Sequence, residues 1–284
     1  MVNGDTLRGM LKRADNEGYA VPAFNYSSIW DLLAIVATAQ EERSPVMVAS
    51  HTSVFDMMTP AICAAIGKVV SEQSSVPIIY HLDHSSEIDK CKTAIDLDYP
   101  SVMIDASKES LSENIRIVKI VTEYARVKGV AVEAEIGKIK GRGYEGGYSG
   151  NDFLASVSDA ITLVKETGID SLAVGIGTAH GFYEGKPEIH FDRLAEINEA
   201  VDIPLVLHGG SGIPKEDIQE AIKLGICKIN VGTIIHSTLM NSFRSSLIEK
   251  GENQFTLDIA GPAMLEVKEV VREWIRTCMS NNKA

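Results

Sequence analysis

A chain of 284 residues can form one large barrel or two smaller domains. Apolar residues at 45% and charged residues at 23% exclude a disordered chain or a fibre. With 27 basic and 39 acidic side chains the net charge is −12, which repels phosphate backbones and argues against nucleic acid as a partner. No apolar run approaches the roughly 18 residues of a membrane span. The first residues, Met1-Val2-Asn3-Gly4-Asp5, lack the basic and apolar regions of a signal peptide, so a cytoplasmic protein is expected. Cys63, Cys91, Cys227 and Cys278 form no C-x-x-C pair and read as reduced core residues.

Short β-branched runs alternate with longer stretches of helical period. Eight strands are predicted: Ala20–Phe24, Pro45–Ala49, Pro77–His81, Ser101–Ile104, Val130–Ala134, Ser171–Gly175, Pro204–Leu207 and Lys228–Val231. The clearest helix is Leu111–Lys128, where Leu111, Ile115, Val118, Val121 and Ala125 recur at three- and four-residue spacing. Ser110 and Glu113 have capping-box spacing, and Gly129 suits a helix stop. Lys215–Leu224 is similar, opened by Pro214 and closed by Gly225. A helix over Ala263–Cys278 reads as an extension, from about residue 262, that covers the barrel or meets another subunit. Met57-Met58, Trp30 and Trp274 read as packing residues.

Eight strand–helix units predict a single-domain (β/α)8 barrel over residues 1–284, with a doubly wound open sheet as the alternative. The barrel is favoured because polar residues cluster at one end of nearly every strand. In order these are Asn25, His51, the group His81/Asp83/His84, Asp105, Glu135, His180, His208 and Asn230. Strand C-termini share one rim of a barrel, so these residues would converge there.

Three histidines at such ends, His84, His180 and His208, suit a catalytic zinc with an open fourth position. The bland alternative is three separate hydrogen-bonded histidines. Asp83 adjoins His84 and could move a proton near the metal, or merely orient a histidine. His81 reads as structural. Gly209-Gly210-Ser211-Gly212 and Asn230-Val231-Gly232-Thr233 follow the seventh and eighth strands and lead into helices. That is where barrels commonly bind phosphate through backbone N–H groups. The glycine-rich, polar segment Lys138–Asn151 reads as a mobile lid whose only carboxylate is Glu145.

These residues resemble the class II, metal-dependent fructose/tagatose-bisphosphate aldolases. The similarity runs from Ala20-Val21-Pro22-Ala23-Phe24-Asn25 to Ile229-Asn230-Val231-Gly232-Thr233. Its most specific pieces are His81-Leu82-Asp83-His84, Val132-Glu133-Ala134-Glu135-Ile136-Gly137, Gly177-Thr178-Ala179-His180-Gly181 and Leu207-His208-Gly209-Gly210-Ser211-Gly212. The resemblance implies reversible cleavage of a ketose 1-phosphate or 1,6-bisphosphate to dihydroxyacetone phosphate and an aldehyde. It implies Zn2+ on His84, His180 and His208, with Glu135 at an alternative metal position and Asp83 as the proton-transfer group. Asn25 joins the substrate-binding set. Gly181, Gly209, Ser211, Asn230, Gly232 and Thr233 would hold the substrate phosphate or a monovalent cation, Na+ or K+. A sugar phosphate is the implied small-molecule partner, and the implied assembly is a homodimer or homotetramer.

The chain also departs from the family pattern. The usual acidic pair of the lid would fall on Gly143 and Tyr144, so either Glu145 serves or the base at carbon lies elsewhere. His236 stands where bisphosphate-specific members often carry a basic residue, and His51 where many have serine or threonine. Gly232 stands where fructose-specific members commonly have aspartate. Two other functions fit the same residues: a zinc hydrolase, and a non-catalytic sugar-phosphate-binding protein.

Overall fold

The computed structural model describes residues 2–139, 153–183, 185, 187–251 and 253–284. Eight parallel strands close into a barrel in chain order: β1 (Val21–Asn25), β2 (Val46–His51), β3 (Ile78–Ser85), β4 (Ser101–Ile104), β5 (Ala131–Ile136), β6 (Ser171–Val174), β7 (Leu205–Leu207) and β8 (Ile226–Val231). β1 pairs with both β2 and β8, so no edge is left, and the open-sheet alternative is excluded. Each predicted strand overlaps an observed one.

Crossover helices pack outside. α1 (Gly4–Glu17) precedes the barrel; α2 (Ile29–Glu41), α3 (Thr52–Met58), α4 (Pro60–Gln73), α5 (Ile88–Asp96) and α6 (Leu111–Lys128) follow. α7 (Val157–Thr167), α8 (Phe191–Ala200), α9 (Lys215–Lys223), α10 (Thr233–Lys250) and α11 (Thr256–Thr277) complete the set. α6 has the predicted bounds. The Ser110 side chain accepts the Glu113 N–H, and Gly129 ends the helix at φ 68°, where a Cβ would be strained. α11 begins before the expected Ala263 and runs through Pro262. A proline there removes the hydrogen bond to the Asp258 carbonyl. Lys250 Nζ donates to that carbonyl instead, at 3.3 Å.

Outward-facing strand residues meet the helices, while α1 closes the N-terminal end of the barrel. Its Leu7, Met10, Leu11 and Ala14 pack on Val21, Met47, Ile79, Ala131 and Cys227. Burying that apolar stripe holds the helix in place. Above this layer the interior turns polar, and the site is built there. All four cysteines are buried and free. Among the described residues, no single helix is long and apolar enough to cross a membrane.

Candidate active site

Side chains alternate across a strand, so Glu133 and Glu135 of β5, and Lys228 and Asn230 of β8, share the inward face. All four are buried. β3 breaks this rule usefully. Its pairing with β4 shifts register between Leu82 and Ser85, and His84 adopts φ 50°. A bulge re-aims a side chain. Here it lets the neighbours Asp83 and His84 both reach the site, within a strand that continues four residues beyond the expected His81.

His84 Nε2 and His208 Nδ1 face each other at 2.7 Å, and the ring nitrogens of His84, His180 and His208 converge within 4.8 Å. The loops carrying His180 and His208 are locked together. Tyr183 Oη accepts the Ala179 N–H at 2.8 Å and donates to the Gly209 carbonyl at 2.9 Å. Gly209, at φ 71°, has no room for a side chain, because a Cβ would lie 2.3 Å from the Ala179 carbonyl oxygen.

Each histidine has an orienting neighbour or a desolvated setting. His84 Nδ1 contacts Asp105 Oδ2 at 3.3 Å. Burial opposes its charge, but Asp83, Asp105 and Glu135 push its pKa up to about 10. His208 Nε2 lies 2.9 Å from Glu133 Oε1, and Glu133 Oε2 accepts from Lys228 Nζ at 2.7 Å. That chain leaves Nδ1 of His208 to face His84 Nε2. Burial and the neighbouring His84 and His208 hold His180 neutral, with its pKa well below the usual range. His81, bonded to Ser101 Oγ at 2.8 Å, is kept neutral by burial and Lys228, down to about 3. Its Nε2 is buried without a hydrogen-bond partner, 4.0 Å from Asp83 Oδ1.

Asp83 accepts from Asn25 Nδ2 at 2.7 Å and from Asn230 Nδ2 at 3.0 Å. Burial opposes its ionisation; His84, His208 and Lys228 outweigh that and hold it well below the usual carboxylate range. Glu135 is the opposite case. Burial, then Asp105, raises it well above that range, and its Oε2 has no hydrogen-bond partner. Glu135 and Asp105 form a second group of convergent donors with His84. Three imidazoles whose ring nitrogens converge, a spare acidic pair beside them and an orphaned carboxylate oxygen fit a divalent cation such as zinc, whose binding would displace the ring protons.

One cavity of about 300 Å³ opens over this centre. It is lined by Asn25, Asp83, His84, His180, Gly181 and Gly209, and by Ser211, Asn230, Gly232 and Thr233. His208 and Glu135 stand buried behind that lining. Thr233 begins α10 at the cavity, and the first-turn N–H groups of Ile234, Ile235 and His236 have acceptors, the last two the Gly232 carbonyl. Ser211 Oγ takes one of them, from Ile234, at 3.3 Å. His51, Ser53, Val54, Met57, Met58 and His236 form a further wall, which starts beside the histidines: the His51 and His84 ring centroids are 6.4 Å apart. Met57 is therefore not core: it is 86% exposed, because α3 is a short helix on the rim. Glu145 and residues 140–151 of the expected lid lie outside the described residues.

The sequence placed Asp105 at the rim without a role, and Glu133, Lys228 and Tyr183 were not foreseen as part of the site. Period-two spacing offered a signal for two of them. Glu133 precedes Glu135 by two residues, and Lys228 precedes Asn230 by two, in otherwise apolar strands. Tyr183 had no such signal.

The family model for class II fructose-bisphosphate aldolase matches residues 5–283. A 6-phospho-5-dehydro-2-deoxy-D-gluconate aldolase of Bacillus velezensis is 39% identical over 282 residues, covering 98% of this chain and 97% of the relative. The aldolase of the same name from Bacillus subtilis is 37% identical over 98% of this chain and 97% of its own length. Among solved structures, the YdjI aldolase of Escherichia coli K12 superposes with a TM-score of 0.88 at 31% identity, covering all of both chains. A fructose-bisphosphate aldolase of Campylobacter jejuni shares the fold, with a TM-score of 0.83 at 21% identity over 100% of this chain and 96% of that one. The chain therefore belongs to the class II fructose-bisphosphate aldolase family: it is an aldolase, a carbon–carbon lyase of a generally metal-dependent class.

Proposed function

We propose that the chain reversibly cleaves a keto-sugar phosphate to dihydroxyacetone phosphate and a small aldehyde, with zinc held by His84, His180 and His208. The observation that carries this is Asp83, ionised and gripped by two asparagines beside three convergent histidines. Zinc bound there supplies Lewis acidity toward a ketone carbonyl and its neighbouring hydroxyl. Asp83 takes the proton from the hydroxyl β to the ketone as the carbon–carbon bond breaks, and returns it in condensation. Asn25 and Asn230 fix the carboxylate for that transfer. The N-terminal turn of α10, with Gly181, Gly209, Ser211 and Thr233, binds the substrate phosphate; Gly232 leaves room for Asn25, whose Oδ1 would lie 3.0 Å from an added Cβ. Glu133 and Lys228 keep His208 in the tautomer that offers Nδ1. Glu135 with Asp105 and His84 forms an alternative metal position, and a Na+ or K+ ion accompanies the phosphate. We assign proton exchange at carbon to Glu145, and the active assembly to a homodimer or homotetramer.

The wall that holds His51 and His236 favours a monophosphate over a bisphosphate. Among the described lining residues none is lysine or arginine. The Bacillus relatives' named substrate has the matching pattern. Its ketone at C5 adjoins the phosphate-bearing C6, so retro-aldol cleavage of C3–C4 leaves dihydroxyacetone phosphate and 3-oxopropanoate.

Proton NMR of dihydroxyacetone phosphate in D2O tests the proposal. Loss of one C3 proton signal is expected with zinc-loaded protein and not after chelation. Glu145→Gln is expected to slow that loss; an unchanged rate places the base elsewhere. No exchange, together with no cleavage of keto-sugar phosphates, would refute the reaction and favour a hydrolase or a binding protein.

A further inference from the structure

The cavity carries two imidazoles that the proposed reaction does not use, His51, 6.4 Å from His84 between ring centroids, and His236. His51 ends β2 and caps α3. Its Nδ1 accepts the Ser53 N–H at 3.2 Å and meets Ser53 Oγ at 2.9 Å. A backbone N–H can only donate, so Nδ1 is unprotonated and the ring hydrogen of neutral His51 sits on Nε2. The helix cap thus sets the tautomer, and Nε2–H is left to the cavity that His51 lines.

His236 enters from α10, one turn beyond Thr233. Its Nδ1 is buried without a hydrogen-bond partner, 4.0 Å from Asp31 Oδ2. The Asp31 carboxylate is already occupied by the N–H and hydroxyl groups of Ser27 and Ser28, at 2.8 to 3.0 Å. Nε2 is therefore the His236 nitrogen open to a ligand. Val54, Met57 and Met58 fill the wall around the two rings.

We infer that His51 and His236 recognise the aldehyde half of the substrate and select a terminal carboxylate. This rests on the aldolase reading above and extends it to specificity. Two single N–H donors on separate elements match the two oxygens of a monoanion. A second phosphate would bring a dianion to a wall with no lysine or arginine among its described residues, in a chain of net charge −12 with Asp83 and Asp31 close by. A plain alkyl end would leave both donors facing it unpaired.

The test compares acceptors in condensation with dihydroxyacetone phosphate, using zinc-loaded protein. 3-Oxopropanoate and propanal differ only in carboxylate against methyl. The wild type is expected to favour 3-oxopropanoate in kcat/KM by more than about tenfold, the discrimination of a site built to hydrogen-bond a polar group. His51→Asn retains an oxygen that can accept the Ser53 N–H, so the α3 cap survives, but it lacks the reach of Nε2. His236→Leu removes the second donor at similar size. Each is expected to bring the ratio to within about threefold of unity. A structural role would depress both acceptors alike. A wild-type ratio near unity, or a ratio preserved in either variant, overturns the inference. Exchange of dihydroxyacetone phosphate protons by the wild type is measured alongside. Its absence sinks the aldolase reading and this one together, whereas exchange with an unchanged acceptor ratio sinks this one alone.

Discussion

Replacing Lys228 by methionine is the most demanding test of the polar barrel interior. The side chain is fully buried, its partner Glu133 is 2% exposed, and the ammonium lies 2.7 Å from the carboxylate. Methionine preserves length and removes charge. Glu133 is then a carboxylate without its main counter-ion; removing one partner of a buried pair costs about 3–5 kcal/mol. In a chain of this size each kcal/mol lowers the melting point by roughly 2–4 °C, so a fall of about 6–20 °C is expected. Glu133 would also tend to take a proton, loosening its 2.9 Å hold on His208 Nε2. Loss of such an orienting partner weakens metal affinity about 10- to 100-fold. Thermal melts at fixed pH and metal concentration, with zinc affinity from chelator competition, read both effects. Adding Glu133→Gln to Lys228→Met removes the orphaned charge and should restore part of the melting point without restoring the metal affinity. A single variant that melts within about 2 °C of wild type and binds zinc as tightly would refute the reasoning.

Asp83→Ala should lower cleavage kcat by about 10²- to 10⁴-fold with metal content unchanged; loss of the metal instead would make Asp83 a structural residue. Gly209→Ala must accommodate a Cβ now 2.3 Å from the Ala179 carbonyl oxygen, at φ 71°. It should cost about 1–3 kcal/mol and weaken zinc binding, read by melting and chelator competition, because it parts the loops of His180 and His208. The four cysteines should resist a thiol reagent at pH 8 in the folded protein and all react after denaturation. Burial pushes the thiols up, Cys91 and Cys227 to about 12. Their folded pKa values exceed the unfolded value of about 8.5, so their stabilising effect is complete below that pH and is lost as pH rises toward 12. A denaturation midpoint that rises between pH 9 and about pH 11 would contradict that sign.

The barrel was legible because eight apolar runs each end in a polar residue, and only closure brings those ends to one rim. The convergence of His84, His180 and His208 beside Asp83 followed from that geometry. β3 was less legible. Alternation puts Asp83 and His84 on opposite faces, and the bulge that reunites them depends on pairing with β4, a long-range contact with no local signature. Met57 misled because helical spacing is the same on a rim as in a core. Glu133 and Lys228 were readable from period-two spacing, yet their tie to His208 joins β5, β7 and β8 and exists only once the barrel closes. The tautomer of His51 likewise depends on a backbone N–H two residues on, which sequence alone does not orient.

The apolar plug of α1 also constrains the order of folding. The helix is made before its partners Ala131 and Cys227, which come from β5 and β8. During synthesis Leu7, Met10 and Leu11 stay without their final cover until most of the chain exists. Closure of the barrel floor is thus a late, high-separation event, of the kind that slows folding and exposes sticky surface meanwhile. A nascent chain arrested before β8 would hold a loose floor and a Glu133 without its Lys228 partner at once, because Lys228 and Cys227 are adjacent on the same strand.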